Sequence, residues 1–211
     1  MGQKVNPLGF RLIINKRWKG IWYADKDYIK FLQGDDAIRK YLRKTVGMAG
    51  IDDIVISRSI NDVSIDLRVA RPGLVIGRGG STIEGIKKGL DKMIGGKIRL
   101  NVQEVQNPGL SADLLAESIT SAIERRYPYK RAIRSALKRA MDAGAEGIKL
   151  FINGRLGGNP IARGEKYIEG SVPTSTLSKN VKFARSFAKT KYGTLGVKVW
   201  VTVPEGKDDN A

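Results

Sequence analysis

The first half of the chain changes from a helical to an extended hydrophobic pattern. Apolar residues recur at helical spacing after the acidic pair 35–36, and we predict a helix that this pair caps and that runs to about Met48. Ile54, Ile56 and Ile60 then alternate with polar residues, and every second position is apolar over residues 63–69. Such alternation is typical of half-buried strands, and residues 61–62, which tolerate positive φ, predict a hairpin turn between them.

A loop of four residues, three of them glycine, interrupts the pattern that follows. One helical turn is predicted at residues 74–76, and Gly77-Arg78-Gly79-Gly80 separates it from a helix predicted over residues 81–94. Gly85 and Gly89 lie inside this helix, where each costs about 0.5–1 kcal/mol relative to Ala. We therefore expect the helix to pack closely on a sheet.

The order of these elements resembles a type II KH domain, a fold that binds RNA. A helix and two strands precede the glycine loop, and a helix and a third strand at residues 98–102 follow it. Glycines let the backbone approach a phosphate, and the loop of a KH domain clamps about four nucleotides. We therefore predict RNA binding by Gly77, Arg78, Gly79 and Gly80, which we call the KH loop. The tetrapeptide by itself also fits an ordinary tight turn.

The second half of the chain contains two predicted helices and then strands. A turn signal at residues 107–109 marks a domain boundary, and amphipathic helices are predicted over 111–126 and 129–143. Strands are predicted near 147–153, 163–170 and 196–203. The fold class is therefore α+β with two domains: an N-terminal type II KH domain with a three-stranded sheet, and a C-terminal domain with two helices and a mainly antiparallel sheet.

The predicted domain boundaries follow from these patterns. A basic and aromatic N-terminal arm occupies residues 1–35, and the KH domain occupies 36–107. The C-terminal α+β domain occupies 108–204, and a flexible tail occupies 205–211.

The charge of the chain points to a polyanionic partner. Lys and Arg number 38 against 21 Asp and Glu, which gives a net charge of +17 at pH 7. An isoelectric point above about 9 is the usual electrostatic mark of nucleic-acid binding. No apolar run approaches a membrane span and the N-terminal residues lack the apolar core of a signal peptide, so we expect no membrane partner.

The composition also limits the chemistry of the chain. There is no Cys, which excludes disulfides and thiolate metal sites, and no His, which removes the commonest general base and metal ligand. Thr82 replaces the third glycine of a dinucleotide fingerprint, and Ile98 replaces the Ser or Thr of an NTPase phosphate loop. We expect no catalytic residues, metal, cofactor or small-molecule substrate.

Cations dominate one face of the helix predicted over 129–143. Glu124 and Asp142 lie on either side of this row, and no acidic residue lies within it. Unrelieved repulsion between like charges predicts a polyanion at this face, although a solvated amphipathic helix is the alternative. We call the following residues the basic ridge: Lys130, Arg131, Arg134 and Lys138.

Other cations are weaker candidates for RNA contact. In the arm, cations alternate with Trp18, Trp22 and Tyr23, which suits either stacking on bases or packing against a neighbouring domain. A glycine-rich loop at 153–163 carries Arg at both ends, and it fits either RNA contact or a long flexible turn. The weaker candidates are Lys4, Arg11, Lys16, Arg17, Arg71, Lys87, Lys88, Arg155 and Arg163.

Several separated motifs are distributed over the whole chain. They are the start Met1-Gly2-Gln3-Lys4-Val5-Asn6-Pro7, Trp22-Tyr23-Ala24, the KH loop, Asn153-Gly154-Arg155-Leu156-Gly157-Gly158 with Ile161-Ala162-Arg163, and the ending Gly196-Val197-Lys198-Val199-Trp200-Val201. Together they resemble the bacterial ribosomal protein S three family, the third protein of the small (30S) subunit. The match spans essentially the whole chain and keeps the order of the motifs.

The resemblance implies a structural constituent of the cytoplasmic 30S subunit that is not an enzyme. It implies binding to 16S rRNA in the subunit head and contact with neighbouring proteins, the tenth and the fourteenth. It also implies a place at the tunnel through which mRNA enters, where basic residues assist the unwinding of structured mRNA. In the family these residues follow a Glu-Arg-Arg step, here Glu124-Arg125-Arg126, and the matching positions are Lys130, Arg131 and Arg134.

The chain departs from the family pattern at two places. Asn6 stands where members usually carry His, and the stretch 179–189 is basic where acidic residues are expected, so no role is carried over to that stretch. A free-standing KH regulator of mRNA would predict a second KH unit or a flexible tail. An RNA-acting enzyme would predict an NTPase loop or a cluster of metal ligands, and the sequence has neither.

Overall fold

The chain forms two compact units in a computed structural model that describes residues 4–59, 62–94 and 97–204. One unit comprises residues 18–106, and the other combines 107–204 with the N-terminal segment 4–17. This segment contains a short helix, α1 (Pro7–Phe10). The predicted arm is therefore divided between the two units. Part of the predicted hairpin turn, the glycine pair 95–96 and the predicted tail 205–211 lie outside the described residues.

The unit of residues 18–106 is a four-stranded sheet with three helices. The sheet order is β1-β2-β3-β4, in which β2 and β3 are antiparallel and the two outer pairs are parallel. Its elements are β1 (Gly20–Ile21), α2 (Tyr28–Val46), β2 (Ile51–Arg58), β3 (Asp62–Val69), α3 (Pro72–Ile76), α4 (Ser81–Ile94) and β4 (Lys97–Glu104). The sequence predicted three strands, and β1 adds a fourth from residues that had been assigned to the arm.

The alternating pattern of this sheet places one set of side chains beneath the helices. On β3, Val63, Ile65 and Leu67 are buried, and the residues between them remain on the opposite face. Apolar residues of α2 and α4 close the core, namely Ile38, Leu42, Ile86 and Leu90. The residue spacing that predicted each element is thus the spacing that builds this core.

Helix α2 begins at Tyr28, before the acidic pair 35–36 that the sequence predicted as its cap, because Asp35 is not a capping residue. Asp35 is buried inside the helix, where Trp22 Nε1 donates to its Oδ2 (2.7 Å) and Arg58 donates to its Oδ1 through Nε (2.8 Å) and Nη2 (2.6 Å). The Arg58 guanidinium also lies 5.1 Å from the centre of the Phe31 ring. The acidic side chain therefore fixes the segment before α2 to the sheet.

The second unit is an antiparallel sheet covered on one face by two helices. Its elements are α5 (Ala112–Glu124), α6 (Tyr129–Asp142), β5 (Gly147–Gly154), β6 (Arg163–Gly170), β7 (Asn180–Thr190) and β8 (Gly193–Val203), with the sheet order β6-β5-β8-β7. Ser111 caps α5, and its Oγ accepts from Leu114 N at 3.3 Å. Buried side chains of the two helices pack on Ile148, Leu150 and Val199 of the sheet.

The strand β7 was not predicted, because apolar residues occur on both of its faces. Phe183 and Phe187 fall on one face, whereas Ala184 and Ala188 fall on the other. The apolar residues therefore come in adjacent or widely spaced positions instead of alternating. Pairing along the whole length of β8 identifies the segment as a strand.

The two glycines inside α4 predict opposite effects of substitution by alanine. A Cβ at Gly85 meets nothing within 4 Å, so Gly85→Ala should stabilise the chain by about 0.5–1 kcal/mol through a less flexible unfolded state. A Cβ at Gly89 would overlap the phenol of Tyr41 on α2, so Gly89→Ala should destabilise by about 1 kcal/mol or more. The closest contact at Gly89 is therefore with α2, whereas Ile86 and Leu90 of the same helix pack in the core with the sheet, as the sequence predicted.

Urea unfolding of the full chain and both variants measures these changes. Shifts of the same sign for the two substitutions would contradict the packing of α4 against α2.

Candidate nucleic-acid interface

The KH loop has a backbone that only glycine adopts readily. Gly77, Gly79 and Gly80 have φ angles of 72°, 59° and 82°, and residues Arg78–Gly80 form a single 3-10 turn between α3 and α4. A Cβ at Gly77 would overlap the Thr82 side chain, whereas a Cβ at Gly79 meets nothing within 4 Å. Gly77 thus serves the fold, and Gly79 leaves the outer surface of the loop open.

The loop leads directly into the N-terminus of α4. The first N–H groups of a helix have no partner within the helix, and together with the helix dipole they favour an anion. Arg78 is exposed between the glycines, and Arg71 and Lys88 are exposed nearby in the sequence, while Lys87 is half-buried. The arrangement can accept a phosphate on the backbone and offer a cation beside it.

The basic ridge lies on the solvent side of α6. Its four residues are exposed, whereas Ala132, Ile133, Ala136 and Leu137 on the other side of the helix are buried. Within the residues that the structure describes, none of the four ridge side chains forms an ion pair. The excess charge predicted for this helix is therefore unpaired in the folded chain.

Two cations of α6 have partners within the domain. Arg131, which belongs to the basic ridge, lies over the Tyr127 ring at 5.3 Å from its centre. Arg139 donates from Nη2 to Ser118 Oγ (2.9 Å) and from Nε to the carbonyl of Ser135 (3.3 Å). Arg139 thus links α6 to α5, and Arg131 is held by an aromatic ring that leaves its donors accessible.

A carboxylate from β6 lies beside the ridge, which the sequence did not indicate. Glu165 Oε2 accepts from the Tyr167 hydroxyl (2.7 Å), and its Oε1 accepts from the Tyr129 hydroxyl (3.3 Å). Desolvation, and then the bond to Glu165, raises the pKa of Tyr167 to about 12. The bond from Tyr167 lowers the pKa of Glu165, and the nearby charges of Arg163 and Lys130 lower it further. The carboxylate therefore stays ionised and bound to the two tyrosines.

Arg11 is a structural residue, which corrects its inclusion among the RNA-binding candidates. Its side chain is 0% exposed, and burial lowers the pKa of the guanidinium. Nη1 donates to the carbonyl of Pro7 (3.3 Å), Nε to that of Lys179 (2.7 Å), and Nη2 to those of Pro173 (3.3 Å), Thr174 (3.1 Å) and Thr176 (2.7 Å). Arg11 thereby holds the N-terminal segment against the loop before β7, and its buried guanidinium is not accessible to RNA.

The glycine-rich loop after β5 is ordered around its first arginine. Arg155 is exposed, but its Nε donates to the carbonyl of Asn159 (2.9 Å) and its Nη1 to that of Tyr192 (3.1 Å). Leu156 is fully buried, so the loop is anchored to the core and is not a long flexible turn. Arg163 is exposed at the start of β6, with its Nε 3.3 Å from Glu165 Oε1.

The aromatic residues of the predicted arm divide into a half-buried, packed group and an exposed group. Trp22 packs against Tyr28 and Phe31 of its own unit, with ring centres 5.4 and 5.7 Å away. Trp18 and Tyr23 are exposed, the latter by 85%. Among the weaker candidates in this part of the chain, Lys4 and Arg17 are exposed and Lys16 is half-buried.

The described residues contain neither a membrane-spanning helix nor a group of side chains suited to a metal. None of their helices is long and apolar enough to cross a membrane. No group of three or more His, Cys, Asp and Glu side chains in this part of the chain could hold a metal ion.

Comparison with known proteins finds a matching protein family for each of the two units. Residues 37–110 match the KH domain family, and residues 119–201 match the family described as ribosomal protein S3, C-terminal domain. The small ribosomal subunit protein uS3 of Streptococcus thermophilus (strain CNRZ 1066) is 44% identical over 201 residues, which cover 95% of this chain and 93% of that protein. The chain belongs to the uS3 family. The uS3 protein of Streptococcus pneumoniae (strain Hungary19A-6) matches with the same identity and coverage.

Membership of the uS3 family confirms the family and the fold class that the sequence predicted. The chain is a structural protein of the small ribosomal subunit and not an enzyme, and it has a KH domain followed by a C-terminal domain of helices and an antiparallel sheet. As a member of this subunit it is assembled with rRNA and other ribosomal proteins. This result also argues against a free-standing KH regulator.

Proposed function

We propose that this uS3 protein binds 16S rRNA in the head of the cytoplasmic 30S subunit and that its basic ridge lines the tunnel through which mRNA enters. The observation that carries the proposal is the row of four exposed, unpaired cations along α6. Side chains four residues apart on a helix are about 6 Å apart along its axis, so the row from Lys130 to Lys138 extends over about 12 Å. Such a row can contact several consecutive phosphates of one strand.

The ridge would assist unwinding passively. A cation that binds the phosphate of a separated strand lowers the free energy of that state relative to the paired state. The work of separating the strands is then done by the ribosome, and the ridge slows re-pairing. Arg131, held over Tyr127, is pre-oriented for this contact at a smaller entropic cost than a free side chain.

The KH loop would bind structured rRNA through its shape and backbone. Its open side at Gly79, the exposed Arg78 and the N-terminus of α4 suit a phosphate backbone and offer little that would select a base sequence. Exposed apolar side chains in the N-terminal segment, Ile13 (87% exposed) and Ile14, suit protein contacts. They support contact with neighbouring small-subunit proteins, for which we propose the tenth and the fourteenth.

Loss of the ridge should impair translation through structured mRNA. In the variant Lys130→Ala, Arg131→Ala, Arg134→Ala, we expect normal incorporation into 30S particles, because these side chains are exposed and make no ion pair among the described residues. Translation of an mRNA that contains a stable hairpin should slow by about threefold or more, whereas an unstructured mRNA should be translated at the wild-type rate.

A variant with the same loss of charge elsewhere is the control for the ridge. Lys40, Arg43 and Lys44 are exposed on α2, and their replacement by Ala should leave translation through the hairpin unchanged. Equal slowing in both variants would show that only total charge matters and would contradict the assignment of the ridge.

Reversal of charge in the KH loop should weaken rRNA binding without unfolding the domain. Arg78→Asp with Gly79→Asp adds two negative charges in open space, and Asp tolerates the positive φ of position 79. We expect about tenfold or weaker affinity for 16S rRNA in a filter-binding assay and little change in the thermal midpoint. Unchanged affinity would show that the loop is only a turn. The contrasting variant is Gly77→Ala, whose added Cβ would overlap the Thr82 side chain and should lower the stability of the domain.

A further inference from the structure

The face of the C-terminal sheet that is turned away from α5 and α6 carries aromatic rings and cations together. Its rings are Phe151 on β5, Phe183 and Phe187 on β7, and Trp200 on β8. Four of its cations are Lys149 on β5, Lys166 on β6, Arg185 on β7 and Lys198 on β8. We call these residues the open sheet face.

The strand register arranges the open sheet face in adjoining rows. Lys149 and Phe183 lie on either side of Trp200, with Lys149 Nζ 5.1 Å from the centre of its ring and the Phe183 ring centre also 5.1 Å away. In the next row, Lys198 lies between Phe151 and Arg185. Each of these two rows therefore places a cation directly beside a ring, at the spacing of neighbouring strands, about 4.8 Å.

One glycine on this face leaves space for a ring. A Cβ at Gly164 would come within 2.9 Å of the Phe151 ring. Phe187 is 60% exposed on the edge strand β7. The ring of Phe187 is therefore accessible to a planar group that could stack on it.

The charge on the open sheet face is of one sign. None of the positions of the four strands that point to this face is acidic. The four cations form no ion pair with any other described residue. Desolvation, and then the nearby Lys4 and Lys166, lower the pKa of Lys149, so the cations repel one another until an anion arrives.

The outer face of the sheet in the KH unit has the opposite character. There Arg99 pairs with Asp62 (2.9 Å), Lys19 pairs with Asp53 (2.8 Å), and Asn101 donates to Asp66 (2.8 Å). The positions of β2, β3 and β4 on that face carry no aromatic residue. A solvated sheet face in this protein thus mixes charges, and the open sheet face does not.

We propose that the open sheet face is a further RNA-binding surface that stacks unpaired bases on Phe187 and Phe151 and holds phosphates on Lys166, Arg185 and Lys198. A protein partner would leave four cations to be matched by acidic groups, whereas aromatic rings interleaved with cations are the usual surface for single-stranded nucleic acid. The surface is separate from the basic ridge, because α6 packs on the other face of the same sheet. It also gives a function to Arg185 and Phe187 within the basic stretch 179–189.

A pair of substitutions at Phe187 separates stacking from simple apolar contact. Leu keeps the apolar character and removes the flat ring, whereas Tyr keeps the ring. For the full chain and an oligouridylate of about twelve nucleotides, we expect Phe187→Leu to weaken binding about fivefold or more and Phe187→Tyr to bind within about twofold of wild type. Fluorescence anisotropy measures the affinity, and a thermal midpoint within about 2 °C of wild type shows that the sheet is intact.

A charge variant tests the other half of the surface. Arg185→Gln with Lys198→Gln should weaken binding to the same oligonucleotide about tenfold, whereas Arg43→Gln with Lys44→Gln, which removes equal charge from α2, should weaken it by less than about threefold. The difference in affinity between these two double variants still tests the open sheet face if a substitution at Phe187 disturbs the edge strand.

Several outcomes would contradict the proposal that the open sheet face binds RNA. Wild-type affinity for the oligonucleotide in both Phe187→Leu and the Arg185 and Lys198 variant would contradict the proposal. Unchanged oligonucleotide binding together with defective incorporation of these variants into 30S particles would also contradict it, because it would indicate a protein partner. If the ridge variant impairs translation through hairpins while both open-face variants bind normally, the proposed function stands and this inference fails. If the open-face variants bind weakly while the ridge variant translates normally, the ridge assignment fails and this inference stands.

Discussion

The structure depends on how an excess of cations is accommodated by a small number of carboxylates. The chain has 38 Lys and Arg and 21 Asp and Glu, so many cations must remain without an acidic partner. The buried or half-buried carboxylates are used where the chain needs a fixed connection. Asp35 joins Trp22 and Arg58 in the KH unit, and Glu165 joins two tyrosines beside α6. The basic ridge and the open sheet face carry cations that form no ion pair with any described residue, and for both surfaces we propose a polyanionic partner.

Local patterns in the sequence were sufficient for most of the fold. Alternation over 63–69 and helical spacing over 81–94 were recovered with nearly the same bounds, because the core of each sheet is built from those apolar positions. Elements that depend on distant residues were missed or misplaced. Asp35 has the type and position of a helix cap, and only the approach of Arg58, 23 residues away, shows that it is a buried ion pair. The strand β1 likewise consists of two residues, which a sequence pattern cannot identify.

The candidate sites likewise divide into those that local sequence reveals and those that depend on distant residues. The KH loop and the basic ridge are continuous in sequence, so residue type and spacing were enough to propose them. Arg11 and Lys4 have the same residue class in a similar context, but Arg11 is buried among carbonyls of residues 173–179, more than 160 positions away. The open sheet face was invisible for the opposite reason. Its rings and cations come from four strands, and only the register of β5 with β8 and of β7 with β8 brings Lys149, Phe183 and Trp200 together.

The salt dependence of binding to 16S rRNA tests most directly whether unpaired cations carry the function of this uS3 protein. Each phosphate that a cation neutralises releases counterions and adds about −0.7 to −0.9 to the slope of log K against log salt concentration. Titration of the full chain with 16S rRNA at several KCl concentrations should give a straight line with a slope of about −3 or steeper. A slope shallower than about −1 would contradict the account, because binding would then depend on contacts other than those between cations and phosphates.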